Sequence, residues 1–159
     1  MSTCPGCGLT LPNIGDLPDS PFRAPRECWA LYGRLSARTL ALPRETFIHQ
    51  TAIDCYEAQH PGLPGKPIAA VFGLVGLYLV VEKGYTGLEV QHVHMMLGNE
   101  KRPLPSLSIP DTRSAITVAS IGEVTDANLP VALTNWAHAI WDAWAGEQDK
   151  IRLYTAPYI

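Results

Sequence analysis

Cys4 and Cys7 lie near the start of the chain, flanking Pro5-Gly6 and followed by Gly8. Two residues between two thiols let both sulfurs reach one cation, and the glycines permit the tight turn this requires. Tetrahedral zinc needs two further ligands. A second C-x2-C is missing, so they must come from Cys28, Cys55 or the histidines at positions 49, 60, 92, 94 and 138.

A second group with chemical potential is His49, Asp54, Tyr56 and His60. His49, Ile53, Tyr56 and His60 share one face of a helix. Asp54 or a histidine could serve as general base and Tyr56 as a proton donor, which makes Asp54, Tyr56 and His49 the candidate catalytic set. The plainer reading is hydrogen bonding between Asp54 and His49 within a helical core. His92 and His94 align only on a strand and otherwise read as a surface pair. The chain has no Gly-rich phosphate loop, no nucleophile elbow around a serine and no H-E-x-x-H helix, which leaves nucleotide binding and zinc-protease chemistry without support.

The elements that must position these residues are marked out by proline, absent from 26–42, 44–60, 68–102, 111–129 and 131–156. Cys28, Leu31, Tyr32 and Leu35 recur at helical spacing in the first of these blocks. Pro43 suits the first position of a second helix, which carries Phe47, Ile48, Ala52 and Cys55 and stops at His60-Pro61-Gly62. A third helix spans about 67–83 and ends at Gly84. A fourth covers Leu88–Leu97, although Val90–His94 also fits a short strand. Residues 98–114 read as a Pro- and Ser-rich connection, and Ile116–Val124 as a short helix or a strand. The last long helix runs from near Pro130 to Trp144, and Gly146 separates it from Lys150–Tyr154. Five prolines in residues 5–25 predict an irregular arm. The expected architecture is mainly α: a single-domain helical bundle over 26–159 with an irregular zinc-knuckle arm over 1–25.

A hairpin of the first two helices selects among the ligands. With its turn at Leu42–Pro43, the level of Cys28 is matched by residue 57. At about 1.5 Å of rise per residue, His60 lies about 4–5 Å from that level, Cys55 about 3 Å and His49 about 12 Å. Cys55 and His60 stand about 140° apart around the helix, so only one can face the metal. Cys55 belongs to the apolar stripe, whereas His60 stands at a helix end within reach of the knuckle. The expected metal set is therefore Cys4, Cys7, Cys28 and His60, with Cys55 as the alternative to His60.

Composition limits the remaining choices. Apolar residues make up 47% of the 159 residues and charged residues 17%, below the roughly 25% of an average soluble domain. Disorder is excluded. Residues 1–80 hold six charges of each sign, so the net −3 lies in residues 81–159; no basic block marks a nucleic-acid partner. The longest apolar stretch, Ile68–Val81, is shorter than the roughly 20 residues of a membrane span. The start has neither a basic nor an apolar signal region, so a cytoplasmic location with reduced thiols is expected. Trp136, Ile140 and Trp144 form a helical stripe that would wall a pocket for a neutral or weakly polar small molecule, or simply fill the core.

The motifs together resemble an uncharacterised bacterial domain family of unknown function. Its members open with CPGCG, here Cys4–Gly8. They continue with a CWALYG-like helix, here Cys28–Gly33, and an H-x4-D-x-Y-x2-QHPG helix, here His49, Asp54, Tyr56 and Gln59–Gly62. Leu79–Gly84, Thr117–Ala119 and Trp136–Trp144 match as well. The resemblance implies a motif pattern and no reaction. Relatives carry Ala at the position of Cys55, often His at that of Gly73, and often Pro-His-His at that of Gly146-Glu147-Gln148. The resemblance thus favours His60 as the fourth ligand, and any catalytic metal held by those relatives' histidines would be incomplete here. A zinc-binding helical protein with a structural metal is the leading expectation. The alternatives are a metal-assisted hydrolase or pocket acid/base catalyst, and an interaction module without chemistry.

Overall fold

The run Ile68–Val81 is apolar all round, and in the computed structural model it forms the middle of a helix buried on nearly every side. The model describes residues 1–62 and 66–159. Seven α-helices lie among the described residues: α1 (Arg26–Ala41), α2 (Ile48–Gln59), α3 (Pro67–Lys83), α4 (Gly87–Glu100), α5 (Val118–Gly122), α6 (Leu129–Ala143) and α7 (Gln148–Thr155). The fold is mainly helical, as expected. α3 begins with Pro67 at its first position and ends at Gly84, whose φ of 69° is the left-handed C-terminal geometry that glycine adopts without strain. Its central residues Val71 and Leu74–Leu79 are buried against α2, α4, α6 and α7.

The arm is largely irregular, as its prolines predict, apart from one short hairpin. β1 (Ser2–Thr3) pairs antiparallel with β2 (Thr10–Leu11), with Ser2 opposite Leu11 and Thr3 opposite Thr10. This hairpin is closed at its tip by the cysteine knuckle. The Cys4 N–H donates to Leu9 O at 2.7 Å and the Gly8 N–H to Cys4 O at 2.9 Å. Gly8 takes a φ of 81°, a conformation L residues rarely adopt.

α1 and α2 form the expected antiparallel pair, with a different turn. Pro43 does not start α2. Residues 43–47 stay outside the helices, and Phe47 adopts a left-handed φ of 49° just before Ile48. The peptide of Phe47 is pressed against Gly87 at the start of α4, where a Cβ would collide with Phe47 O. The left-handed Phe47 breaks right-handed helical geometry, so α2 begins only at Ile48. The register shifts accordingly. Thr39 meets His49, Tyr32 stacks on Tyr56 at 4.3 Å and Cys28 meets His60. Each partner is three residues further along α2 than a turn at Leu42–Pro43 would set.

The ambiguous segment around 116–124 resolves as helix α5, whose Ser120 hydroxyl accepts from the Thr117 N–H at 3.1 Å. α4 reaches Glu100, three residues beyond its expected end, and its N-terminus is closed by the Thr86/Glu89 capping box. Arg38 near the end of α1 ties down the link between α5 and α6 through Asp126 and the carbonyls of Gly122 and Val124.

Candidate metal centre

The knuckle of the arm, the start of α1 and the end of α2 converge on one point. The ligand atoms of Cys4, Cys7, Cys28 and His60 all lie within 4.8 Å of one another, and all four residues are buried. Cys7 Sγ is 3.8 Å from Cys28 Sγ, and Cys28 Sγ is 3.4 Å from His60 Nε2. Thiolates at about 2.3 Å and an imidazole at about 2.0–2.1 Å from a tetrahedral ion would be separated by about 3.8 Å and 3.5 Å respectively. These two observed spacings match those of ligands around a single ion.

Local structure explains each placement. Cys28 sits in the first turn of α1, which opens directly after Pro25. His60 is the residue that ends α2, outside helical geometry at φ −121° and ψ 51°. Its Nδ1–H donates to Tyr56 O at 2.8 Å, which fixes the ring's orientation and leaves Nε2 facing the cysteines. Gly6 is the contact that lets the knuckle approach: a Cβ there would sit 2.5 Å from His60 Cδ2 and 2.8 Å from Gln59 O. The Tyr56 hydroxyl donates to Cys28 Sγ at 3.5 Å. Rings close the site from bulk water, with Tyr56 stacked on His60 at 4.0 Å and Phe22 and Trp29 packed against Tyr56.

Protons alone satisfy this cluster unevenly. Hydrogen bonds from Cys28 and then Cys7 hold the Cys4 thiol far below its ordinary range. The same contacts with Cys4 and Cys7 push Cys28 far up. Burial opposes a charged His60, yet the sulfurs of Cys4 and Cys7 raise it to about 9.

The remaining candidate residues lie elsewhere. Cys55 is fully buried between α2 and α6, its Sγ 4.0 Å from Leu133 O, and burial raises its thiol well above the usual range. The candidate catalytic trio faces three ways. His49 points to α1 at the end opposite His60, with Nδ1 2.8 Å from the Thr39 hydroxyl, which itself donates to Ser36 O. Tyr56 faces the metal cluster. Asp54 faces α3, accepting from Gln50 Nε2 at 3.0 Å, while its other oxygen rests against Gly76 without a polar partner among the described residues. Burial, then the nearby Glu57 charge, raises the Asp54 carboxyl well above the ordinary range. Asp54 and His49 do not bond each other. His94 is not a surface residue like His92: its Nε2–H donates to Phe72 O at 2.8 Å, and burial lowers it to about 4. Of the Trp stripe, Ile140 and Trp144 line a cleft, whereas Trp136 is sealed beneath it and donates to Gln59 Oε1.

Sequence reasoning missed Phe22, Trp29 and Tyr32 as the aromatic shell and Gly6 as the steric condition for the knuckle. For Tyr32 a signal existed: it follows Cys28 at i+4 and so shares its face.

A family model described as a family of unknown function (DUF5946) matches residues 2–145. No curated protein and no solved structure matches the chain.

Proposed function

The chain belongs to this family of unknown function, and from the geometry of the cysteine–histidine cluster we propose that it is a zinc-binding protein whose metal is structural. One observation carries this reading: four donors, three sulfurs and one imidazole nitrogen, surround one point with none of the four residues open to solvent. Three soft sulfurs and a borderline nitrogen favour zinc over magnesium or calcium, which take oxygen ligands. Four protein ligands also complete the shell. A catalytic zinc keeps one position for water or substrate, and the burial of all four donor residues supports a closed site instead.

The ion's role follows from what it joins. The arm packs on the bundle through a few apolar residues, Leu9, Leu11, Phe22 and Ala24, beside the knuckle itself. A cation bound by two arm residues, one from α1 and one from α2 converts three separate chain segments into one unit, and its binding free energy becomes folding free energy. Tyr56 and the Tyr56 carbonyl serve as positioning groups for Cys28 and His60. The divergent placement of Asp54, Tyr56 and His49 supports this reading over an acid/base catalyst. The four unpaired thiols fit a reducing, cytoplasmic compartment, and the bacterial origin of the resembling family fits as well.

Elemental analysis of tag-free protein tests the proposal. One zinc per chain is expected, falling sharply in Cys4→Ser together with the melting temperature. Well under half an equivalent after growth in added zinc, or equal melting of parent and Cys4→Ser, contradicts it.

A further inference from the structure

A cleft of about 330 Å3 opens on the outer side of the knuckle, between Pro5 and Gly6, the ends of α2 and α6, and the segment 109–114. Its volume lies at the lower bound of small-molecule sites. Ala58, Pro61, Ile140 and Trp144 form its floor. The polar atoms at the floor are already satisfied. The Trp144 indole donates to Ala58 O at 3.1 Å, and Gln59 accepts from Trp136 while donating to Ile116 O. Ser114 Oγ is held between the N–H and the carbonyl of Ile116. The floor therefore behaves as an apolar surface.

The rim is the opposite. Arg23 and Arg113 both line it. Arg113 gives one N–H to Pro5 O at 3.2 Å. Arg23 has no hydrogen bond or ion pair among the described residues, and Asp111, the acidic residue of the rim, pairs with neither arginine there. Two positive-φ glycines let the backbone pass close beneath the guanidinium groups. A Cβ on Gly62 (φ 96°) would lie 3.4 Å from Arg23 Cδ, and one on Gly8 (φ 81°) 3.1 Å from Arg113 Nη1. Most guanidinium donors at this mouth remain unspent, directly above an apolar floor.

We infer that this cleft binds a small organic carboxylate, its apolar body on Ala58, Pro61, Ile140 and Trp144 and its carboxylate on Arg23 and Arg113. The planar fork of a guanidinium matches a carboxylate in two parallel hydrogen bonds. The apolar floor gives a bare inorganic anion nothing to bury, and the rim gives a neutral molecule no charge-assisted bond. The ligand expected from sequence alone was neutral or weakly polar; the pair of arginines, distant in sequence, makes it anionic. Metal binding and ligand binding are separate claims, because no ligand atom of the cluster lines the cleft.

Titration of the metal-loaded protein tests the inference, using benzoate, hexanoate, benzamide and inorganic phosphate as probes. The readouts are the Trp144 indole and Arg23 side-chain resonances. Saturable shifts with benzoate or hexanoate are expected, with benzamide weaker by about ten-fold or more, the size of one lost charge-assisted bond, and phosphate weaker because it buries no apolar surface on the floor. Arg23→Gln should weaken the carboxylates by a similar factor while leaving metal content and melting temperature unchanged, since Arg23 is exposed and bonds nothing in the described fold. Arg23→Lys should recover part of the loss. No saturable shift with either carboxylate overturns the inference, as does equal binding of benzamide, tighter binding of phosphate, or an unchanged affinity in Arg23→Gln.

Discussion

Two faces of α2 bury polar groups and solve the same problem differently. Toward α1 and the arm, His60 joins three cysteines around one point, and Tyr56 supports the arrangement with its hydroxyl and its carbonyl. Toward α3, Asp54 is fully enclosed with one oxygen bonded to Gln50 and the other against Gly76. The first face balances charge with a cation under the proposed reading. The second face balances it with a proton, since burial keeps the carboxyl neutral far above its usual range. A cation can hold separate chain segments together, whereas a proton only lets an acid be tolerated. The arm should therefore depend on its polar site, and the α2–α3 core should depend on close packing.

The largest contrast should appear when each region loses its central contact. Cys28→Ser removes a metal ligand at the junction of arm and α1, and should cost about 4 kcal/mol or more, the range of a lost metal site. Thermal denaturation together with zinc content checks this. If zinc is retained and melting is unchanged, the cluster does not organise the arm.

Gly76→Ala places a methyl group into Asp54 Oδ2 and should cost about 1–3 kcal/mol, the range of overpacking in a filled core. Its zinc content should stay at that of the parent. Gly6→Ala should do the reverse, loosening zinc because its Cβ meets His60, while α3 and its neighbours keep their stability. Chelator-competition rates and urea unfolding of both variants separate the effects. Loss of zinc in Gly76→Ala would show that the two faces are coupled rather than independent.

The pH dependence sharpens the comparison further. Asp54 holds its proton more tightly in the folded state than in the unfolded chain. Its contribution is therefore greatest below the ordinary carboxylate value of 3.8 and is lost as pH rises toward its folded-state value. Glu57, raised by burial to about 7, adds a loss between about 4.5 and 7. Stability of Asp54→Asn relative to the parent should consequently improve as pH rises. A relative stability that is flat across pH 4–8 would mean that the Asp54 carboxyl is not buried as a neutral acid.

The smallest effect belongs to the opposite end of the α1–α2 pair. His49→Ala loses one hydrogen bond to Thr39 and should cost about 1 kcal/mol with zinc retained, whereas His60→Ala should lose the metal. Equal zinc retention in the two variants would remove His60 from the ligand set.

How much of this was legible in sequence follows from where each contact originates. Cys4, Cys7 and Cys28 were readable from spacing and helical phase, and His60 from its position at a helix end. The register behind that choice was three residues off, because a Pro-starting helix could not anticipate the left-handed Phe47 that delays α2 to Ile48. His60 still lay close enough to the expected level to be chosen. The helices were readable from proline-free blocks and capping residues such as Thr86 and Gly84. The Asp54–Gly76 contact, the role of Gly6 and the Arg23–Arg113 rim were not. Each depends on segments far apart in sequence meeting at atomic distance, and neither periodicity nor spacing carries that information.

X-ray absorption at the zinc edge of the purified protein tests the central claim most directly. Three sulfurs at about 2.3 Å and one nitrogen at about 2.0–2.1 Å, with no oxygen in the shell, is the predicted result. A shell containing an oxygen, or one with fewer than three sulfurs, would contradict a closed structural site.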